Sequence, residues 1–232
     1  MFINGFDILW DEIDDYVADI QSIRSIDQLM FTKLVTFFCG ENGSGKSTLL
    51  EALAIKNGLN PEGGTRNYNF STYDSYSNLH NHMCLWRSRK PDWMYFLRAE
   101  SFYNVATKEM EYSGVFSERY HDQSHGQSFF SVLMKQTNKN GLYLLDEPEA
   151  ALSCQNQLAL LYLIQSCVKQ NCQFIIATHS PILLGFPDAQ ILSFDEGKVE
   201  EVDYKSTSSY QTMKLFFDRY DYFVEDIKEN EI

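Results

Sequence analysis

The chain has 232 residues, with 32 Asp and Glu against 19 Lys and Arg, so it carries a formal charge of −13 at pH 7. That balance argues against a general nucleic-acid-binding surface, while 44% apolar and 22% charged residues fit a soluble globular protein large enough for one α/β domain or two small ones. No apolar run approaches the ~20 residues that a membrane span needs, and the start Met1-Phe2-Ile3-Asn4-Gly5-Phe6-Asp7 lacks the positive region of a secretory signal.

Residues 1–30 are acidic with interspersed apolar positions and read as short strand or helix pieces. Leu34-Val35-Thr36-Phe37-Phe38 is a continuous apolar run, as expected of a strand buried on both faces. It leads into Gly40-Glu41-Asn42-Gly43-Ser44-Gly45-Lys46-Ser47, which fits the G-x-x-x-x-G-K-[ST] pattern residue for residue. Glycines let successive backbone N–H groups curl around an anion, and a helix starting near Lys46 adds its positive end. In such a loop Lys46 reaches the outer phosphates and the Ser47 hydroxyl holds Mg²⁺. Thr48 to Ala54 favours helix up to the stop at Gly58.

Residues 57–95 are rich in Asn, Ser, Gly, Tyr and Pro and read as an irregular insertion with a turn at Gly63-Gly64. Arg87, Arg89 and Lys90, followed by Arg98, form a basic cluster in an acidic chain. Met94 to Arg98 resumes strand character, and Phe129 to Lys135 has helical spacing. Leu142-Tyr143-Leu144-Leu145 is a second buried strand and ends in Asp146-Glu147-Pro148. Two carboxylates at a strand's C-terminal end stand where ligands and metals collect in open α/β sheets: Asp146 suits Mg²⁺, and Glu147 an attacking water. Gln157 to Val168 is an amphipathic helix, with Leu160, Leu161, Ile164 and Val168 on one side. Gln173 to Thr178 is a third buried strand, running into His179-Ser180-Pro181. Ile191–Phe194 and Val199–Val202 flank Asp195-Glu196-Gly197-Lys198 as a hairpin, and the tail from Tyr210 reads as a terminal helix. Five cysteines (Cys39, Cys84, Cys154, Cys167, Cys172) form no C-x-x-C pair, which reads as free thiols in a reducing cytoplasm.

Taken together, these motifs resemble the ABC class of ATPases. Asp146-Glu147-Pro148-Glu149-Ala150-Ala151-Leu152-Ser153 is similar to that class's Walker B strand end running into its D-loop. Thr178-His179-Ser180 is similar to its H-loop. Ser124-His125-Gly126-Gln127-Ser128, about twenty residues before the carboxylate pair, stands where the class carries its signature. The resemblance spans roughly residues 34–203. It implies a P-loop NTPase fold, a three-layer α/β structure with helices on both faces of the sheet, forming one ATPase domain over 1–232 in which about 57–123 is an insertion and signature-side region. ATP and Mg²⁺ are the implied cofactors.

The implied catalytic residues are Glu147, His179 and Lys46. Gly40, Glu41, Asn42, Gly43, Ser44, Gly45, Lys46, Ser47 and Thr48 would bind the nucleotide, and Ser47, Asp146 and Glu100 the metal. Ser124, His125, Gly126 and Gln127 would complete the site from a second copy, making an ATP-dependent homodimer. For the adenine, Tyr16, Phe31 and Arg24 are candidates by position. The signature departs from the class at Gln123 and His125, and no glutamine occurs between Thr48 and Asp122, so Glu100 is the positional substitute for the Q-loop glutamine.

Arg98-Ala99-Glu100-Ser101-Phe102 with the motifs above looks most like compact soluble bacterial ATPases akin to the RecF and SMC branch. That branch implies DNA maintenance or defence, with nucleic acid and an unidentified protein as open partners. The alternative implication is the ATP-binding subunit of a membrane transporter.

Overall fold

The computed structural model describes residues 1–65, 76–98 and 140–229. The N-terminal stretch, mixed in its sequence signals, forms β1 (Ile3–Ile8), α1 (Gln21–Arg24) and β2 (Gln28–Met30), with two single-turn 3₁₀ segments between β1 and α1. β3 (Val35–Cys39) then enters the glycine loop, and α2 (Lys46–Lys56) leaves it. Past α2 the sequence suggests irregular structure. The described part of that stretch instead holds β4 (Gly64–Thr65), α3 (Leu79–His82) and β5 (Met83–Arg87), before the expected strand β6 (Trp93–Arg98). The polar composition is that of the connections, and β5 acquires its order by pairing antiparallel with β1.

After residue 140 the expected pattern appears in sequence: β7 (Gly141–Asp146), α4 (Cys154–Val168), β8 (Gln173–Ala177), α5 (Pro181–Leu184) and the pair β9 (Gln190–Ser193) and β10 (Glu200–Glu201). α4 starts a turn before the apolar spacing suggests, because Ser153 caps it: the Ser153 Oγ accepts from the Asn156 N–H at 3.3 Å. The tail is two helices, α6 (Ser208–Asp218) and α7 (Tyr220–Glu229). The helix expected at 129–135 lies outside the described residues.

Two sheets result. The larger runs β10-β9-β3-β8-β7-β6-β4; from β9 to β6 every neighbour is parallel, and the outer strands β10 and β4 are antiparallel. The smaller is antiparallel, β2-β1-β5. Period-2 alternation divides the large sheet's side chains between two faces. Phe38, Phe96, Leu144 and Ile175 point into a core shared with α2 and the small sheet, while Phe37, Tyr95, Tyr143 and Phe174 point into a second core against α4 and α5. This is the three-layer α/β architecture of P-loop NTPases, with the small sheet supplementing the helix on one face. Among the described residues no helix is long and apolar enough to cross a membrane.

The order β3-β8-β7 sets the site. It places the His179 strand between the glycine-loop strand and the carboxylate strand, so the C-terminal ends of all three meet at one edge of the sheet.

Candidate nucleotide site

At that edge the glycine loop is tightly built. Gly45 has φ +92°, and a Cβ there would stand 2.7 Å from Ile23 of α1. Gly40, at φ +134°, lies against Asp195, whose Oδ1 would be 2.9 Å from a Cβ. Both positions therefore demand glycine for its conformation and for its size. Because Gly45 is also the residue before α2, it caps the helix without a side-chain acceptor. The first N–H groups of α2 are left to a ligand, and the helix N-terminus favours an anion.

Lys46 is 4% exposed and folds back over the loop. Its Nζ donates to Gly40 O at 2.9 Å, Glu41 O at 2.7 Å and Ser44 Oγ at 3.2 Å. Burial lowers its pKa, opposed by the charges of Glu147, Asp195, Cys39 and Asp146. Beside it, Ser47 Oγ donates to Asp146 Oδ1 at 2.8 Å, across 99 residues of sequence. Hydroxyl and carboxylate are hard oxygen donors of the kind Mg²⁺ takes. Among the described residues no group of three or more His, Cys, Asp and Glu could hold a metal unaided. The pair thus fits a Mg²⁺ ion that completes its shell with phosphate oxygens and water, as this ion usually does.

Glu147 leaves β7 in the left-handed region (φ 48°, ψ 50°), a strained conformation for a residue with a Cβ, worth about 1–2 kcal/mol. Its N–H is held by Ala177 O at 2.9 Å, which ties the turn to the end of β8. Glu147 Oε1 then stands 3.7 Å from His179 Nε2, and that nitrogen is buried with no hydrogen-bond partner. Burial, and after it the Lys46 charge, pushes the imidazole below its ordinary pKa; Glu147, Glu149 and Asp195 pull the other way. The net direction keeps His179 neutral at pH 7.

Three residues near this cluster carry no such position in their sequence context. Asp195, read above only as part of a hairpin turn, accepts the Glu41 N–H at 3.0 Å and the Ser193 hydroxyl at 2.9 Å, bracing the loop's first turn. Arg98, grouped above with Arg87, Arg89 and Lys90, leaves that group in the fold. It ends β6 in register with Asp146, donates to Glu51 of α2 at 2.5 Å and lies 3.7 Å from Asp146 Oδ2. Glu149 accepts the His179 N–H at 2.6 Å. Arg98 had its strand-end position and Glu149 its place in the Asp146–Ser153 motif as sequence signals; Asp195 offered none.

Around the loop opens a cleft of about 770 Å³, lined by Gln21, Ser22, Asn42, Gly43, Asp195 and Glu196 among others. Of the adenine candidates, Phe31 is excluded by burial: it is 2% exposed and packs between Phe6 and Phe38. Arg24 lies over the Trp10 ring at 4.5 Å, and Tyr16 is exposed. Glu100, Ser124, His125, Gly126 and Gln127 lie outside the described residues.

Two family models match the chain. One, described as an AAA ATPase domain, covers residues 125–184, and the other, an AAA domain, covers residues 18–82. A curated relative from Haemophilus influenzae, named an uncharacterized ABC transporter ATP-binding protein, is 27% identical over 183 residues, 68% of each chain. These matches, with the site geometry, support a P-loop ATPase of the ABC class. Among solved structures, CbiO1 of Clostridium perfringens, part of an ABC transporter complex, aligns at 18% identity over 97% of this chain and all of its own, with a TM-score of 0.45. A dimeric bacterial ABC transporter cassette aligns at 16% identity over 88% of this chain and 97% of its own, with a TM-score of 0.42.

Proposed function

We propose that this ATPase works in the cytoplasm as a switch that dimerises on ATP. The observation that carries the reading is the convergence of Lys46, Ser47, Asp146, Glu147 and His179, from three separate strand ends, on one glycine loop. ATP lies with its phosphates in the Gly40–Ser47 loop and against the first turn of α2, including Thr48. Lys46 exchanges its loop carbonyls for phosphate oxygens. Ser47 and Asp146 would hold a Mg²⁺ ion, which would supply neutralising charge to the phosphates. Glu147 polarises the attacking water, and the neutral His179 offers Nε2 to the γ-phosphate without repelling Lys46. The 124–127 segment of a second copy closes the site, so ATP stabilises only the closed pair and its hydrolysis releases it.

The reading is tested with Glu147→Gln. Turnover is expected to fall by about 10²–10⁴-fold, with ATP retained and the solution mass doubling only when MgATP is present. A variant that hydrolyses like the parent, or that binds MgATP as a monomer, refutes the switch.

A second reading, an ATP-binding subunit serving a membrane partner, is favoured by the name of the Haemophilus influenzae relative. Co-purification with an integral membrane protein would select it. A role on nucleic acid, in the DNA maintenance or defence suggested by the RecF and SMC resemblance, has less support. The charge of −13 opposes it, and Arg98 is committed to Glu51 and Asp146. Salt-dependent retention of DNA in a filter-binding titration would restore it.

A further inference from the structure

β8 ends at Ala177, and beyond it the backbone leaves the ladder: the Thr178 N–H still reaches Phe38 O at 3.0 Å, whereas the His179 N–H finds no strand to bond. The acceptor that replaces the strand is Glu149 Oε1, at 2.6 Å, from the single 3₁₀ turn Pro148–Ala151 that follows Glu147. A second tie runs beside it. Ser180 Oγ donates to Gln157 Oε1 at 2.6 Å, and Gln157 Nε2 donates to Leu152 O at 3.1 Å, the residue that ends the same turn. Two side chains, one before α4 and one inside it, therefore fasten both ends of the Pro148–Leu152 turn to consecutive residues of the His179 loop. The 3₁₀ turn is fixed internally as well, by Ala150 N–H to Glu147 O and Leu152 N–H to Glu149 O, each at 3.0 Å.

We propose that Glu149 is a positioning residue that locks the turn after Glu147 to the His179 loop, so that the two move together. The proposal rests on the reading of Glu147 and His179 as the water- and γ-phosphate-facing groups, and it assigns Glu149 a role through them, with no contact to the nucleotide. A charged acceptor suits the task, since a carboxylate holds an N–H more strongly than a neutral oxygen does. Only one oxygen is used. Glu149 Oε2 is buried without a partner, as is His179 Nε2. Buried unpaired polar atoms are uncommon in finished structures, and two of them lie at this interlock. The main-chain tie fixes where the His179 Cα sits, and with it how far the imidazole stands from Glu147.

Glu149→Ala and Glu149→Gln separate this role from a merely structural one, because the glutamine amide oxygen can still accept from the His179 N–H. In the alanine variant kcat for MgATP is expected to fall about tenfold to a hundredfold with KM within threefold of the parent. The His179 amide, followed by hydrogen exchange in the absence of nucleotide, is expected to lose at least tenfold in protection. Glu149→Gln is expected to restore both to within about threefold. An alanine variant that matches the parent in exchange overturns the proposal, and so does a glutamine variant that exchanges as fast as alanine. The exchange arm needs no turnover: a parent protein that fails to hydrolyse ATP would count against the proposed function, while the His179 protection would still decide the role of Glu149.

Discussion

Two helices of eleven residues each, α2 and α6, show how little length and amphipathicity say about a helix's place in this molecule. α2 has no distinct polar face and no exposed residue, and it buries Lys46, Leu49, Leu50, Ala52, Leu53 and Ala54, because it lies between the large sheet and the small one. α6 has the more distinct apolar face, yet none of its residues is buried. Met213, Phe216 and Phe217 of that face remain exposed, as does Leu215 on the opposite side. A helix enclosed on two sides needs no polar face, whereas one that lies on the surface shows its pattern whether or not anything covers it. α2 is thus held by packing, which anchors the glycine loop at its N-terminus. α6 is held at its start, where Tyr204 donates to Pro181 O at 2.9 Å and meets the Tyr210 ring edge-on.

The largest effect that this contrast predicts is on stability. Leu50 is fully buried on α2, so Leu50→Ala is expected to cost about 2–5 kcal/mol in urea unfolding. A loss below about 1 kcal/mol would mean that the two layers close over the gap and that α2 is not the rigid base of the loop.

That rigidity also explains which parts of the molecule were legible in the sequence. β3, β7 and β8 stand out as unbroken apolar runs because central parallel strands are covered on both faces. β1 does not, since Ile3-Asn4-Gly5-Phe6-Asp7-Ile8 makes sense only beside β5, about eighty residues later in the chain. The loop, the Asp146-Glu147 pair and His179 announce themselves by local spacing. Asp195, Arg98 and Glu149 act across 154, 47 and 30 residues respectively, and no local pattern encodes such a distance. Arg98 is the instructive case. In sequence its charge groups it with Arg87 and Lys90, but β6 pairs with β7 in a register that delivers it to Asp146.

The shelter around α2 should extend to the strand that feeds its loop. Cys39 is 4% exposed, and burial, reinforced by the Asp195 charge, pushes its thiol up to about 11. Cys84 and Cys154 are exposed. With iodoacetamide at pH 8, the thiolate fraction alone makes Cys39 slower than an ordinary thiol by about 10²-fold. Peptide mapping of the native protein is therefore expected to find Cys84 and Cys154 labelled well before Cys39. Equal rates would show that the strand–loop junction opens readily and would erase the contrast with the tail.

The smallest expected effect lies on α6, and it is the one that probes what the exposed face does in solution. Phe217 is 68% exposed, and its ring lies 5.8 Å from the neighbouring Phe216 ring. A side chain so placed has little burial to lose, so Phe217→Ser is expected to shift unfolding by no more than about 0.5 kcal/mol. The measurement should be run at two protein concentrations tenfold apart. If the parent is more stable at the higher concentration and the variant is not, another molecule packs on this face, and α6 owes its order to association as α2 owes its own to the core. If neither responds, the Tyr204 anchor and the helix's own backbone suffice. The contrast between the two helices is then a property of the single chain.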